Sequence, residues 1–400
     1  TKTENDGAIE DGAAISIVNR AGYKGLDSIE VIGGKFTANG TNAAIKAYDW
    51  ANKTESGFTV SDKVSVSGGT FSSAVDRALL KDGYRPTETN LSESGKTTYG
   101  VTTQYICSAI VSLGDDISFK YKLMKDVTFD SLVASYDVNG AKTTVKLTST
   151  ITDTEGYTYY ILRGLTPQML DRKISVTVYV GETTIYDVVD YSILDYLQKV
   201  YVYVSSDEYL GGEDKAEATR QLAVNLAYYG KAAMEYVGFD TTEVNSFLKN
   251  KTLPTGTIEE TESIVASDNS VETGMERVAR ITVRFDTQNK ILVAVEEGKF
   301  NKDGYAVTVN GKSGDELEWK TDIIAGYYVY ETEGVAARYL TDKDHGVKVV
   351  VTKNGSEVQT VTYNVAGYCY KMQNSAKETM KNLATATYYY GSAAAEYAKY

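Results

Sequence analysis

Four hundred residues with 42% apolar content are enough for about two to four domains, each burying a core of its own. A formal net charge of −13 argues against nucleic acid and anionic lipid as partners, because both are bound through clustered Lys and Arg that release counterions. No apolar run approaches the roughly 20 residues that span a bilayer, and the opening TKTENDGAIEDG has neither a basic n-region nor an apolar h-region, so the chain reads as a soluble, mature or trimmed fragment with no membrane insertion.

The first hundred residues set short β-branched runs among Gly, Ser, Thr and Asn. IEVIGGKFTANG (Ile29 to Gly40) and VSVSGGTFSSAV (Val64 to Val75) share a strand, a glycine pair and a Phe, with the glycine pairs 35 residues apart. NAAIKAYDW adds an alternating strand between them. This period predicts parallel β-solenoid coils over residues 1–86: each coil hides one face on the next, and Gly permits the positive φ of a tight corner. An ordinary hairpin domain is the competing reading. A solenoid end must be covered, and SSAVDRALLKDGY predicts a capping helix with Ser72 or Ser73 as N-cap, Val75, Ala78 and Leu79 on one face and Gly83 as the stop. The N-terminal end carries no such device, so further coils are expected upstream. Residues 87–103, with TETNLSESGKTTYG, read as a polar connector.

From Gln104 the texture changes to period-2 runs, ISFKYKL, LVASYDV, TTVKLTS, YTYYIL, ISVTVYV and TTIYDVVDY, separated by Gly, Asn and Asp turns. SILDYLQKVYVYV and EDKAEATRQLAVNLAYYGKAAMEYVGF then predict a helical hairpin, with Leu222, Leu226, Tyr229, Ala233 and Tyr236 on one apolar stripe. The same plan recurs: RVARITVRF, KILVAVEE, YAVTVNG, GYYVYET, GVKVVVTKNG and EVQTVTY as strands, NVAGYCYKMQN and AKETMKNLATATYYYGSAAAEYAKY as helices. Gln221–Tyr236 and Asn382–Tyr397 agree at nine of sixteen positions (Leu, Ala, Tyr, Tyr, Gly, Ala, Ala, Glu and Tyr). RGLTPQML mirrors EGVAARYL, and DYSILDYL mirrors TYNVAGYC. The expected fold is therefore multidomain, β-rich α+β. Parallel β-helix coils precede two repeated β-sandwich-like domains, 104–252 and 276–400, each with an α-helical hairpin, and the Thr-, Ser- and Glu-rich residues 253–275 read as a linker.

YYGKAAMEY (Tyr228 to Tyr236) returns as YYGSAAAEY (Tyr389 to Tyr397) after 161 residues. A mid-helix Gly costs about 1 kcal/mol relative to Ala, so its presence in both helices calls for close approach of another backbone. Gly230 with Ala233, and Gly391 with Ala394, form a small-residue notch flanked by Tyr229, Tyr236, Tyr390 and Tyr397. Glu235 and Glu396 sit near helix C-termini, where the macrodipole disfavours a negative charge. Lys231 stands one turn before Glu235 but Ser392 occupies the matching place in the second copy, so both glutamates are expected to accept hydrogen bonds from outside their own helix.

The Y[SN]xxxY entry to the first helix and the L-A-x4-YYG-x-AA-x-EY second helix resemble the tandem C-terminal modules of secreted and cell-wall surface proteins of gut Firmicutes, and SGGTFSSAVDRALLKDGY resembles their terminal β-helix coil. Glu235 and Glu396 stand where Gln is usual in that family. The resemblance implies an extracellular location on a Gram-positive cell and non-catalytic stalk or adhesion modules; it brings no catalytic residue, no metal and no cofactor.

The residues give little support to catalysis. A Ser or Cys nucleophile normally takes its proton acceptor from His, and the single His345 lies in the charged turn TDKDHG. DKDHG has only the first two carboxylates of a calcium loop. Cys107 and Cys369 read as buried free thiols. Asp49, Asp62, Lys63, Asp76 and Arg77 fall at turns or on the expected cap, where carboxylates solvate rather than form a hydrolase groove. LPTG (Leu253 to Gly256) lacks a residue of a sortase signal. Thirty-three tyrosines suit half-buried strands and contact surfaces. Aromatic surface is what remains: Tyr48, Trp50 and Trp319 are the candidate ligand-binding residues, because ring faces match the apolar faces of sugars. The expected function is structural display or adhesion, with a host or dietary glycan or a host extracellular protein such as mucin or immunoglobulin as partner. The alternative is the accessory C-terminal part of a carbohydrate-active β-helix enzyme, a polysaccharide lyase or hydrolase, whose catalytic coils lie upstream.

Overall fold

Alternating β-branched runs become strands through most of the computed structural model, which describes residues 12–19, 28–49, 64–89, 98–113, 116–138, 140–181 and 183–400 and is β-rich α+β with six sheets and six α-helices. Two compact units divide the chain, Thr1–Cys107 with Leu123–Val127 and Ser108–Lys122 with Thr128–Tyr400. Among the described residues no helix is long and apolar enough to cross a membrane.

In the smaller unit, Ile15–Asn19 pairs in parallel with Ile45–Asp49, and Ile29–Phe36 with Val64–Phe71. The described residues form no closed coil. The glycine pairs lie inside these strands, at a shift in their register, rather than at a corner; Gly34 and Gly69 take φ of +113° and +118°, and a Cβ on Gly68 would collide with the Ile32 carbonyl. Phe36 stacks on Phe71 at 5.1 Å over a core of Ile17, Val31, Val64, Val66 and Leu79. The capping helix is not formed. Ser72 and Ser73 turn inward instead, their hydroxyls accepting the Ala38 and Ala44 amides, which leaves Asp76 to cap a single 3-10 turn, Arg77–Leu79. The connector is also corrected at both ends: Tyr84–Thr89 and Thr98–Thr103 pair antiparallel, and the latter joins Val64–Phe71 to extend the sheet.

The larger unit holds four antiparallel sheets in two halves. In the first half, Ala141–Lys146, Ser131–Val138, Ile174–Val180 and Thr183–Tyr191 lie side by side, as do Thr150–Thr152, Thr158–Leu165, Ile117–Leu123 and Ile106–Leu113, whose first two residues and the Leu123 end of its partner belong to the smaller unit. The second half uses the same two strand orders in the same chain sequence, with one extra strand at an edge. Period-2 patterning supplies the core: Leu132, Ala134, Ile174, Val176 and Val178 are buried in one half, Val307, Val309, Val347, Val349 and Val351 in the other.

Helices α1 (Ile193–Val204), α2 (Glu213–Val237) and α3 (Thr242–Leu248) close the first half; α4 (Asn269–Thr273), α5 (Val365–Met372) and α6 (Glu378–Tyr397) belong to the second. Ser192 and Asp195 form a capping box at the start of α1, and Asn364 caps α5 at the equivalent place. Gly238, in the left-handed region at φ +81°, ends α2.

Residues 253–275 are built into the second half rather than strung between domains, which corrects the expected linker. Ala266–Asp268 adds to the edge of Ser356–Tyr363. Three buried amide side chains hold the approach to it. Gln373 bonds both the N–H and the C=O of Ile258. Asn364 donates to the Ser263 and Asp342 carbonyls and accepts from the Val265 and Gly367 amides. Gln359 accepts from Val278 and Ala279 and donates to Asp268, Ser270 and the Ala279 carbonyl. A polar composition had marked this strap as loose, yet its backbone groups are satisfied from within the fold. It can run this close only because α5 has no Cβ at Gly367, where one would overlap the Val265 carbonyl. Replacing Gly367 with Ala should therefore destabilise the protein by about 3 kcal/mol, and limited proteolysis should show new cleavage between residues 253 and 268.

Candidate functional site

Helices α2 and α6 carry the repeated YYG motif, and they pack on each other. Tyr229 and Tyr390, the second tyrosine of each motif, stack with centroids 5.2 Å apart and planes 14° apart, both almost fully buried. Burial pushes both phenols well above the ordinary tyrosine range, so both stay protonated. The Tyr229 hydroxyl donates to Asn289 Oδ1 at 3.0 Å, between the halves. Among the described residues the Tyr390 hydroxyl has no such partner; the residue that matches Asn289 in the first half is Ile117, each bridging the strand position before a 3-10 turn.

The last tyrosine of each motif also reaches across. Tyr236 interacts with Tyr368 of α5 and lies under Lys377 Nζ at 4.1 Å, while Tyr397 interacts with Tyr196 of α1. Tyr368 and Tyr196 occupy equivalent positions in TYNVAGYC and DYSILDYL. The contacts are thus reciprocal, as in the isologous interface of a two-fold dimer, but within one chain.

The glycines face leucines, not another helix backbone. A Cβ on Gly230 would stand 3.0–3.1 Å from the Leu170 side chain, and one on Gly391 would stand 2.7 Å from Leu340 Cβ. Leu170 and Leu340 follow the 3-10 turns Pro167–Met169 and Ala337–Tyr339, the last residues of RGLTPQML and EGVAARYL. Both leucines are buried. Of the notch expected at Gly230/Ala233 and Gly391/Ala394, the two glycines each seat a leucine from their own half instead of a helix backbone. The mirrored octapeptides were the signal that could have identified these partners. Nothing in the sequence marked Asn289.

Glu235 is paired within its own helix, and Glu396 only with a residue immediately beyond its helix end. Lys231 pairs with Glu235 at 2.9 Å one turn earlier, and Lys399, just past the end of α6, pairs with Glu396. Lys399, three residues on, supplies at Glu396 the charge that Ser392 does not, so neither glutamate draws on a distant partner. Such exposed pairs contribute little to stability.

Beside the seam lies an open cleft of about 360 Å3. Its floor is apolar, with Leu113, Leu197, Val200 and Leu222 from the first half and Ala394 from α6. Among the described lining residues its polar groups are Ser112, Thr219, Tyr196, Tyr397 and Arg338, and none is a carboxylate.

Of the candidate ligand-binding aromatics, only the Trp319 side chain falls among the described residues. Trp50 and the Tyr48 side chain lie outside the described residues, Tyr48 contributing only its backbone to the pair with Ile15–Asn19. Trp319 is half-buried, its indole N–H donating to the Gly314 carbonyl at 2.7 Å, in a cluster with Phe300, Tyr328 and Tyr330. His345 sits in its turn, stacked on Tyr339 at 4.0 Å and hydrogen-bonded with Asp342. Cys369 is buried and Cys107 half-buried, both as free thiols. Burial pushes the Cys369 thiol far up, which leaves it protonated and unreactive. Among the described residues no three metal-ligating side chains come together.

No family model, curated protein or solved structure matches this chain.

Two comparisons test the seam. Ala at position 391 gains about 1 kcal/mol of helix propensity but must displace Leu340 at its Cβ, an overpacking cost of about 3 kcal/mol. Gly391→Ala should thus lower stability in chemical denaturation by more than Gly230→Ala, whose neighbours include the movable tip of Leu170. Tyr229→Phe leaves Asn289 without its buried donor and should cost about 2 kcal/mol. Tyr390→Phe, which keeps the stack and removes no bond, should be close to neutral in the same measurement.

Proposed function

We propose that this chain is a non-catalytic part of an extracellular bacterial surface protein that displays or binds, built as the end of a parallel β-helix followed by two copies of a β-sandwich-like module with a helical hairpin. The observation that carries this reading is the tyrosine seam. The motif that stands out most in the sequence is consumed in locking two similar halves together, an arrangement suited to a stiff presenting body. The parallel pairs in the smaller unit, with Ile45 beside Ile15 and Phe71 beside Phe36, have the offset of successive solenoid coils. The resemblance to tandem surface modules of gut Firmicutes supports a secreted or cell-wall location.

The partner under this reading is a host or dietary glycan, or a host extracellular protein such as mucin or immunoglobulin met through tyrosines or a strand edge. For a glycan, the half-exposed rings at Trp319, Tyr328 and Tyr330 are the available platform. The parallel pairs favour one other reading, an accessory part of a polysaccharide lyase or hydrolase whose catalytic coils belong to a longer protein.

A glycan array probed in parallel with immobilised mucin and immunoglobulin tests the binding role. The protein is expected to retain a defined set of glycans that Trp319→Ala, checked for folding by its melting curve, no longer holds. Silence on every surface removes binding and leaves display alone. Release of new reducing ends or unsaturated sugars from a polysaccharide panel would overturn the non-catalytic reading.

A further inference from the structure

The two halves match closely at the seam, so a place where they differ in side-chain bulk is a place where one has been opened or the other filled. The cleft beside Tyr196 and Tyr397 is such a place. Its counterpart around Tyr368 and Tyr236 carries Met372 where the cleft has Val200 and Met380 where it has Thr219; three residues before Met380, Lys377 stands where the first half has Ala216. Lys377 is drawn over the Tyr236 ring. On the cleft side the shorter residues leave about 360 Å3 open, within the range of small-ligand sites.

The polar groups of the cleft share one character. Arg338 forms no ion pair among the described residues and rests against its neighbour Tyr339; the matching residue in the first half is the neutral Gln168. The hydroxyls of Tyr196 and Tyr397 have no hydrogen-bond partner among the described residues. Burial, then the nearby Tyr397, raises the Tyr196 pKa, which keeps that hydroxyl a donor at neutral pH. One guanidinium and two phenols therefore face an apolar floor, with no carboxylate among the described lining residues.

We propose that this cleft binds a small amphipathic carboxylate, its apolar body on Leu113, Leu197 and Leu222 and its carboxylate at Arg338 and the two phenols. An anionic group is favoured because Arg338 and the two phenols can each donate to it, and Arg338 can hold a carboxylate through two parallel bonds. This binding is independent of the glycan or protein partner proposed above, and either can fail alone.

Decanoate is the probe, with decanol as its uncharged counterpart, titrated into the full chain by calorimetry and by NMR of labelled tyrosines. Decanoate is expected to bind with shifts at Tyr196 and Tyr397, and decanol about tenfold more weakly. Arg338→Gln, which copies the first half at an exposed position, should bring decanoate down to the level of decanol. Val200→Met with Thr219→Met copies the second half and should abolish both while leaving the melting curve intact. No saturable decanoate binding in the parent protein, or binding that survives the double methionine variant, overturns the proposal.

Discussion

A leucine side chain can lie against a helix only as closely as the helix's own Cβ atoms allow. At Gly230 and Gly391 there is none, so Leu170 and Leu340 come within a distance that alanine would contest. That approach fixes each long helix on the 3-10 turn of its own half, and with it the direction in which Tyr229 and Tyr390 project. The stack between the two rings follows from those seats. An aromatic pair of this kind contributes about 1 kcal/mol beyond the area it buries, so the pair registers the two halves more than it glues them; burial along α2 and α6 supplies the bulk of the attraction.

The reciprocity of the seam is incomplete in ways that have physical causes. Asn289 accepts from one phenol, and Ile117 leaves the other without a partner. Lys377 covers one terminal tyrosine, and Ala216 leaves its counterpart uncovered. A duplicated segment begins with identical interactions on both sides, and each such substitution releases one side from the packing duty of the other.

Much of this was legible in the sequence. Period-2 runs gave the strands, and the doubled YYG motif gave α2, α6 and the fact that their glycines face something close. What could not be read was the identity of the neighbour, since Leu170 and Leu340 lie 60 and 51 residues from their glycines and are brought there by sheet topology. Composition misled twice. SSAVDRALLKDGY has helix-start chemistry, but Ser72 and Ser73 found amide donors on the preceding strands, and local capping lost to tertiary bonds. Residues 253–275 are polar enough for a linker, but Asn364, Gln359 and Gln373, far along the chain, supply the hydrogen bonds that order them. Of the candidate site residues, Tyr229 and Tyr390 meet at the seam, Glu235 and Glu396 pair locally, and Trp319 packs within its own half.

The strap has a mechanical meaning. Tension entering the second half from α3 arrives first at Ile258, where the Gln373 carboxamide grips both backbone groups, and then at Asn364 and at the three-residue strand along Ser356–Tyr363. These restraints lie in series along the strap and must be broken one after another before the load reaches the sheet. The stacked tyrosines lie on a separate path, through α2 and α6, so a pull on the connecting segment does not peel the rings apart. A body anchored this way holds its connecting segment at several separate hydrogen-bonded points ahead of the sheet.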